Sequence, residues 1–393
     1  MAAQIGATLS SKAPGGVGMS AHGPSETDSY LAAVAAHGLP HSAFRAPRDP
    51  LTGDRWGHFL ESSIHHRVIG HVVRGIADGA CPADAYQAAH ASAVLERILA
   101  RVLMLEHQLI RHAQMFRRAG IDYRLLKGSA VAHRDYPDPS LRTYVDIDLL
   151  VRPEAIDDAV GLLVELDGQR RWPEPFPGFD RRFGKGAVFL MPGGYELDLH
   201  RSLAQGPLGL MLELDPLFED VEYVVIAGHR LDVMGTDQRL LHACYHAAVG
   251  TVPPRLGQLR DVAQILVSGR SDTARVLELA GRSGALAVVA RAVDLTAAAL
   301  QLGSQVPLVT WARSYRYSRQ DRRVLSTYLA IEPTFAARAF ASLRVLPTWS
   351  DRAAFLRGIV LPGQEFLGSR DHARVAEHWR RAGRRLLRRS SRS

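Results

Sequence analysis

The sequence predicts an α/β (α+β) fold, in which a small mixed sheet sits between a helical N-terminal region and a helical C-terminal domain. Two observations carry this prediction. Between residues 121 and 235, short runs rich in Val, Leu, Ile and Tyr are punctuated by Gly- and Pro-centred turns, the pattern of strands and hairpins. On either side, apolar residues recur at three- and four-residue spacing, the pattern of amphipathic helices. At 393 residues and 47% apolar content the chain suits two or three packed units better than one small core. It divides into a leader (1–28), a helical N-terminal region (29–120), a sheet-bearing core (121–235), a helical C-terminal domain (236–370) and a basic tail (371–393).

Composition bounds the function classes. The first residues are rich in Gly, Ala, Ser and Pro, without the basic start and apolar run of a signal peptide, and read as a disordered leader. The formal net charge is +8, but Arg380 to Ser393 holds seven arginines and no acid, so the remainder carries 8 − 7 = +1. The basicity is a tail, suited to contact with a polyanion. Cys81 and Cys244 are the only cysteines, which excludes a disulfide framework and a four-cysteine zinc site and fits a reducing cytoplasm. No apolar run is long enough for a transmembrane helix, so a soluble, cytoplasmic protein is expected.

The elements follow in order. Over Ala83 to Arg118 the residues Val94, Leu95, Ile98, Leu99, Val102, Leu103 and Leu109 form a helical stripe that Gly120 ends. Ile121 to Leu126 reads as a short strand running into the turn Lys127-Gly128-Ser129, and Ala130 to Tyr136 as a helix stopped by Pro137 and Pro139. Val145 to Val151 is a second strand, with Pro153 at the start of a helix to Leu166. Pro192-Gly193-Gly194 joins Ala187–Met191 to Tyr195–His200 as a hairpin, and Ala227-Gly228-His229 joins Tyr223–Ile226 to Arg230–Val233 as another. Helical spacing returns over Leu240–Val249, Leu256–Val267, Ala285–Leu302 and Pro333–Leu346.

Alternation along a strand puts Asp146 and Asp148 on one face, with Val145, Ile147 and Leu149 pointing into a core. Tyr195 to His200 repeats the pattern, with Glu196, Asp198 and His200 sharing a face. Laid beside the first strand, it brings Asp198 to the pair. Three gathered carboxylates repel one another unless divalent cations neutralise them, and magnesium is the natural choice. Two such ions about 3.5–4 Å apart suit the phosphates of a nucleoside triphosphate. Asp146, Asp148 and Asp198 are therefore the metal-ligand and catalytic candidates, with Asp198 as general base. Gly128 lets the backbone approach phosphates, Ser129 offers a hydroxyl and an amide at a helix start, and Lys127 and Arg142 can neutralise the triphosphate.

Other polar residues read more plainly. His242 and His246 share a helix face and can pair on zinc, but Ala243 stands where a metalloprotease helix carries Glu. A structural role or a polar contact beside the site is the preferred reading. The strand direction of His200 aims it toward the acids, either as a ligand or, on the preferred reading, to orient a neighbour. Gly184-Lys185-Gly186 stands where it can touch substrate, but glycines around one basic residue read first as a loop.

These residues together resemble the nucleotidyltransferase superfamily with the DNA polymerase beta-like core, whose pattern is a Gly turn, a spacer, Asp-apolar-Asp and a later acidic strand. The order Leu126-Lys127-Gly128, Tyr136-Pro137, Leu141-Arg142, Asp146 to Val151, Glu196 to His200, Leu240-Leu241-His242 with His246, Arg255-Leu256 with Asp261-Val262-Ala263, and Leu346-Pro347-Thr348 is similar to the bacterial uncharacterised nucleotidyltransferase branch. The similarity spans roughly residues 50 to 370. It implies magnesium-dependent transfer of a nucleoside monophosphate from an NTP, such as ATP, to an acceptor hydroxyl or other nucleophile, with release of pyrophosphate. The acceptor (small molecule, protein or tRNA) stays open. The competing reading is an inactive relative serving as a nucleic-acid-binding or scaffold protein through its basic tail.

Overall fold

The computed structural model describes residues 26–45, 48–330 and 335–368. The leader up to residue 25 and the tail from residue 369 lie outside them.

Four helices lead in: α1 (Glu26–Ala36), α2 (Asp54–His65), α3 (Ile69–Ala77) and α4 (Ala85–Arg118). The long α4 starts where the Asp84 carboxylate accepts the Gln87 amide (2.8 Å) and the Gln87 side chain accepts the Asp84 amide (3.1 Å), a reciprocal cap. It ends before Gly120, whose φ of 70° a residue without a Cβ adopts at least cost. The predicted stripe faces the sheet through Val102 and Leu109, joined by Leu105, which the stripe did not include, whereas Leu103 is 65% exposed. Three- and four-residue steps from Val102 reach Leu105 and Leu109 but leave Leu103 on the flank.

The core then runs β1 (Tyr123–Leu125), α5 (Lys127–Arg134), β2 (Asp146–Val151), α6 (Ile156–Glu165), β3 (Gln169–Arg170), α7 (Phe179–Arg182), β4 (Gly186–Met191), β5 (Tyr195–His200), α8 (Pro207–Leu210), α9 (Pro216–Glu219), β6 (Val221–Ile226) and β7 (His229–Met234). The strands form one mixed sheet in the order β3-β4-β5-β2-β1-β7-β6. β2 and β5 are parallel, whereas β4–β5 and β6–β7 are the expected antiparallel hairpins. Ile147, Leu149 and Val151 face the cluster built on α4 and α6, and Leu150 faces the opposite cluster with Leu126. Burial on both faces is what a parallel central strand requires. Val145, expected to point into the core, precedes the strand and is 37% exposed.

The remaining helices are α10 (Thr236–Tyr245), continued by a π turn (His246–Gly250), α11 (Leu256–Val267), α12 (Thr273–Arg282), α13 (Leu286–Leu300), α14 (Pro307–Ser314), α15 (Arg319–Leu329), α16 (Phe335–Val345), α17 (Trp349–Val360) and α18 (Gln364–Gly368). Leu31 and Val34 of α1 share one apolar cluster with Val262 of α11 and Val289 of α13. Helices α1 to α3 and the start of α4 therefore pack with the C-terminal helices against one side of the sheet, while the second half of α4 covers the other. Among the described residues, no helix is long and apolar enough to cross a membrane.

Candidate active site

The parallel register of β2 and β5 builds the site. It sets Asp146 beside Glu196, Asp148 beside Asp198 and Leu150 beside His200. Paired residues of neighbouring strands share a face, so the two acidic strands meet as expected. Glu196 turns away to Arg171 at the sheet edge. Ligand atoms of Asp148, Asp198 and His200 lie within 4.8 Å of one another. Two carboxylates and an imidazole at that spacing are a donor set suited to a divalent cation.

The Asp148 carboxylate is almost fully buried, and its Oδ1 accepts from Lys127 Nζ (2.5 Å) and from His200 Nε2 (2.7 Å). Burial alone would raise its pKa, but the Lys127 ammonium and the His200 hydrogen bond outweigh burial and hold it well below the usual carboxylate range. Among the described residues Asp198 has no hydrogen bond of this kind, only the His200 Nε2 at 4.0 Å. Burial and the neighbouring Asp148 charge push Asp198 up to about 7, and the same two causes raise Asp146. Burial, then the Lys185 and Lys127 charges, lower His200 to about 3, so His200 is neutral and donates through Nε2, leaving the buried Nδ1 without a partner. The acids thus differ in character: the pKa of Asp148 is lowered, whereas those of Asp146 and Asp198 are raised.

The Lys127-Gly128-Ser129 turn is the first turn of α5. Lys127 takes φ 42°, a left-handed conformation that is costly for a side-chain-bearing residue, and the Leu126 amide donates to the Asp148 carbonyl (3.0 Å). Together these contacts aim the Lys127 ammonium at Asp148. A Cβ on Gly128 would sit 2.6 Å from the Tyr144 Cβ, and Tyr144 is itself fixed by its hydroxyl on Glu106 (2.6 Å). Gly128 is therefore required by packing whatever the turn binds. Ser129 lies buried in the same turn.

Arg142 is placed differently from the sequence expectation. Its guanidinium is buried and grips Asp261 of α11 through Nε (2.7 Å) and Nη2 (2.8 Å), a bidentate pair that leaves it no free edge for a triphosphate. The rings of His242 and His246 line a small cavity with Lys127 and Asp261. Burial, then the Lys127 charge, keep both well below the ordinary histidine range. They stand outside the group of converging metal-capable atoms.

Lys185, whose segment reads in the sequence as a loop with substrate contact as the second choice, stands just before β4. Its carbonyl accepts the Arg201 (2.7 Å) and Ser202 (3.0 Å) amides, pinning the loop to the end of β5. Burial and then Lys127 lower its ammonium to about 8, against the pull of Asp148, Asp198 and Asp146. Lys185 thus faces the same acids as Lys127. The signal was one basic residue between two glycines, which carries no information about its neighbours.

A protein-family profile described as "Uncharacterised nucleotidyltransferase" matches residues 52–301. Among solved structures the chain is similar to the antibiotic-resistance factor ANT(2'')-Ia in solution (TM-score 0.34, 18% identity, covering 46% of this chain and 91% of that one). It is also similar to ANT(2'')-Ia in complex with adenylyl-2''-tobramycin (0.34, 17%, 46% and 96%). A third is an antigenic nucleotidyltransferase-like protein from Paracoccidioides brasiliensis (0.31, 17%, 51% and 95%). No curated protein matches the sequence.

Proposed function

The chain belongs to the family described as uncharacterised nucleotidyltransferases, and from that premise we propose that it moves a nucleoside monophosphate from an NTP to an acceptor hydroxyl or other nucleophile, using magnesium. The observation that carries the reading is the pairing of Asp148 with Asp198 across parallel strands, with Asp146 two residues before Asp148 on the same strand. Asp148 and Asp198 would hold the metal, joined by Asp146, which stands outside the group of converging ligand atoms; when bound, the metal supplies neutralisation of the triphosphate and polarisation of its α-phosphorus.

The chain's own groups divide the remaining work. Asp198, with its proton held near neutrality, takes the proton from the acceptor as the new bond to the α-phosphorus forms. The bond from the α-phosphorus to the β-phosphate bridging oxygen breaks, and pyrophosphate departs with those electrons. Lys127 and Lys185 surround the acids with positive charge and offset the negative charge of the entering triphosphate. The first-turn amides of α5, at Gly128 and Ser129, are donors for its oxygens. His200 keeps the Asp148 carboxylate in one orientation through the hydrogen bond to Oδ1. His242 and His246 keep uncharged rings beside Lys127, so they add no competing cation. We place the reaction in the cytoplasm, with which the buried free thiols of Cys81 and Cys244 agree.

The test is incubation of the protein with magnesium and each α-labelled nucleoside triphosphate in turn, following label into protein, tRNA and small-molecule fractions. Label should enter one fraction with release of pyrophosphate and vanish in Asp146→Ala and Asp148→Ala. Triphosphate binding that survives both substitutions would sink the reading.

A further inference from the structure

Two arginines far apart in the sequence meet where the turn between α2 and α3 packs on the start of α11, without an anion to share. Arg67 lies between α2 and α3 in a left-handed backbone conformation, φ 62°, which a side-chain-bearing residue keeps only where its surroundings enforce it. Two close approaches enforce it here. On one side α3 is pressed onto the segment leading to Arg142, since a Cβ on Gly70 would lie 2.4 Å from the Ser140 carbonyl oxygen and 2.7 Å from the Leu141 Cα. On the other side the start of α11 is pressed onto His66 and Arg67. A Cβ on Gly257 would lie 2.7 Å from the His66 carbonyl oxygen and 3.1 Å from the Arg67 Cβ. The Gly257 amide donates to that carbonyl (2.9 Å), and the Leu256 amide donates to the His66 ring (3.0 Å).

Arg255, the residue just before α11, arrives with that helix. Its Nε is buried and has no hydrogen-bond partner. Among the described residues, neither Arg67 nor Arg255 has a carboxylate at ion-pair distance, although Asp146 is within electrostatic reach of Arg67. Burial, then repulsion from Arg255, lowers the Arg67 guanidinium. A like-charge pair held together by backbone packing, partly desolvated and unpaired, is costly in an empty protein. The cost makes sense if an anion with several oxygens completes the site.

We propose that Arg67 and Arg255 form the clamp for the terminal phosphates of the nucleoside triphosphate and for the pyrophosphate it becomes. The inference rests on the nucleotidyl-transfer reading above. The position agrees with it: the backbone beside Arg67 packs on the segment leading to Arg142, and Asp146 is within electrostatic reach of Arg67. Arg142 cannot serve there, because Asp261 holds it, and Lys127 is held by Asp148. The clamp draws one arginine from the N-terminal helices and one from the C-terminal helices, so the sheet alone cannot supply it.

The test is calorimetric binding of inorganic pyrophosphate, with magnesium present, to the full chain and to Arg67→Gln, Arg255→Gln and the double variant. Each single change should weaken pyrophosphate about ten- to hundredfold, the loss expected for one charge-assisted bidentate contact. Magnesium binding alone should be unchanged. The melting temperature of the ligand-free variants should hold or rise, because the repulsion is relieved, whereas arginines with a purely structural role would lower it. Wild-type affinity in both single variants, or a fall in melting temperature with unchanged affinity, overturns the proposal. Failure of the unaltered protein to bind both pyrophosphate and every nucleoside triphosphate overturns instead the nucleotidyl-transfer reading on which it rests.

Discussion

At the scale of single residues, the acidic cluster separates groups that a sequence shows as equals. Asp146, Asp148 and Asp198 all read as metal-ligand carboxylates, yet only Asp148 has a cation and a neutral imidazole bonded to it. Among the described residues Asp198 faces its charge without a hydrogen bond of this kind and is pushed up to about 7. The linkage has a definite sign. A carboxyl whose folded pKa lies above its unfolded value of about 4 stabilises the protein while protonated, and that stabilisation is lost as pH rises from about 4 to about 7. Asp198→Asn keeps the volume and never ionises. In the absence of divalent cation the variant should be more stable than the parent at pH 8, by about 2 kcal/mol after allowing for partial exposure, and equal to it near pH 4, while turnover is abolished. Urea melts at the two pH values decide it, and equal stability at pH 8 would mean that the Asp198 charge is compensated in the folded protein. The same pairing logic explains what the sequence concealed at this scale. Arg142 and Lys185 each showed a charge in the sequence, but their partners, Asp261 for one and the acid cluster for the other, are brought to them only by the fold.

At the scale of elements, legibility followed length and period. Tyr195–His200 and Leu256–Val267 have the predicted bounds, because six alternating residues or three helical turns carry a clear repeat. β3 has two residues, and α7, α8 and α9 have four each, too few for any periodicity to register. The junction of β1 and α5 was legible in kind but different in cause. Gly128 was expected to make room for phosphates, and the room it makes is filled by Tyr144, which Glu106 holds through the phenol and shares with His133 (2.6 Å). Gly128→Ala should therefore cost about 1–3 kcal/mol by overpacking, measured as a lower denaturation midpoint. It should also move the Lys127 turn away from Asp148, so that magnesium affinity changes as well. A Gly128→Ala protein of unchanged stability would show that Tyr144 yields without strain.

At the scale of the whole molecule, the two helical regions that the sequence separates by more than a hundred residues share one core. Leu31 and Val34 of α1 pack with Val262 and Val289 from α11 and α13, and Ser42 bridges to Leu302, with the Ala43 amide donating to the Gln301 carbonyl (2.9 Å). Arg142 bound to Asp261 ties that shared core to the segment entering β2, four residues before Asp146. A core built from both ends of a chain melts as one unit, since neither part can bury its apolar face alone. Trp56 of α2 and Trp311 of α14 report on the two parts separately. Variants that retain only one of these tryptophans should give coincident urea transitions, with the same midpoint and slope. Separate transitions would mean that the N-terminal helices dock on a core that stands without them, and then Arg67 would reach the site only in the docked state. Coincidence instead makes the phosphate clamp a property of the folded molecule as a whole: the helices that stabilise the sheet are also the ones that deliver its two unpaired arginines to the edge of the acidic site.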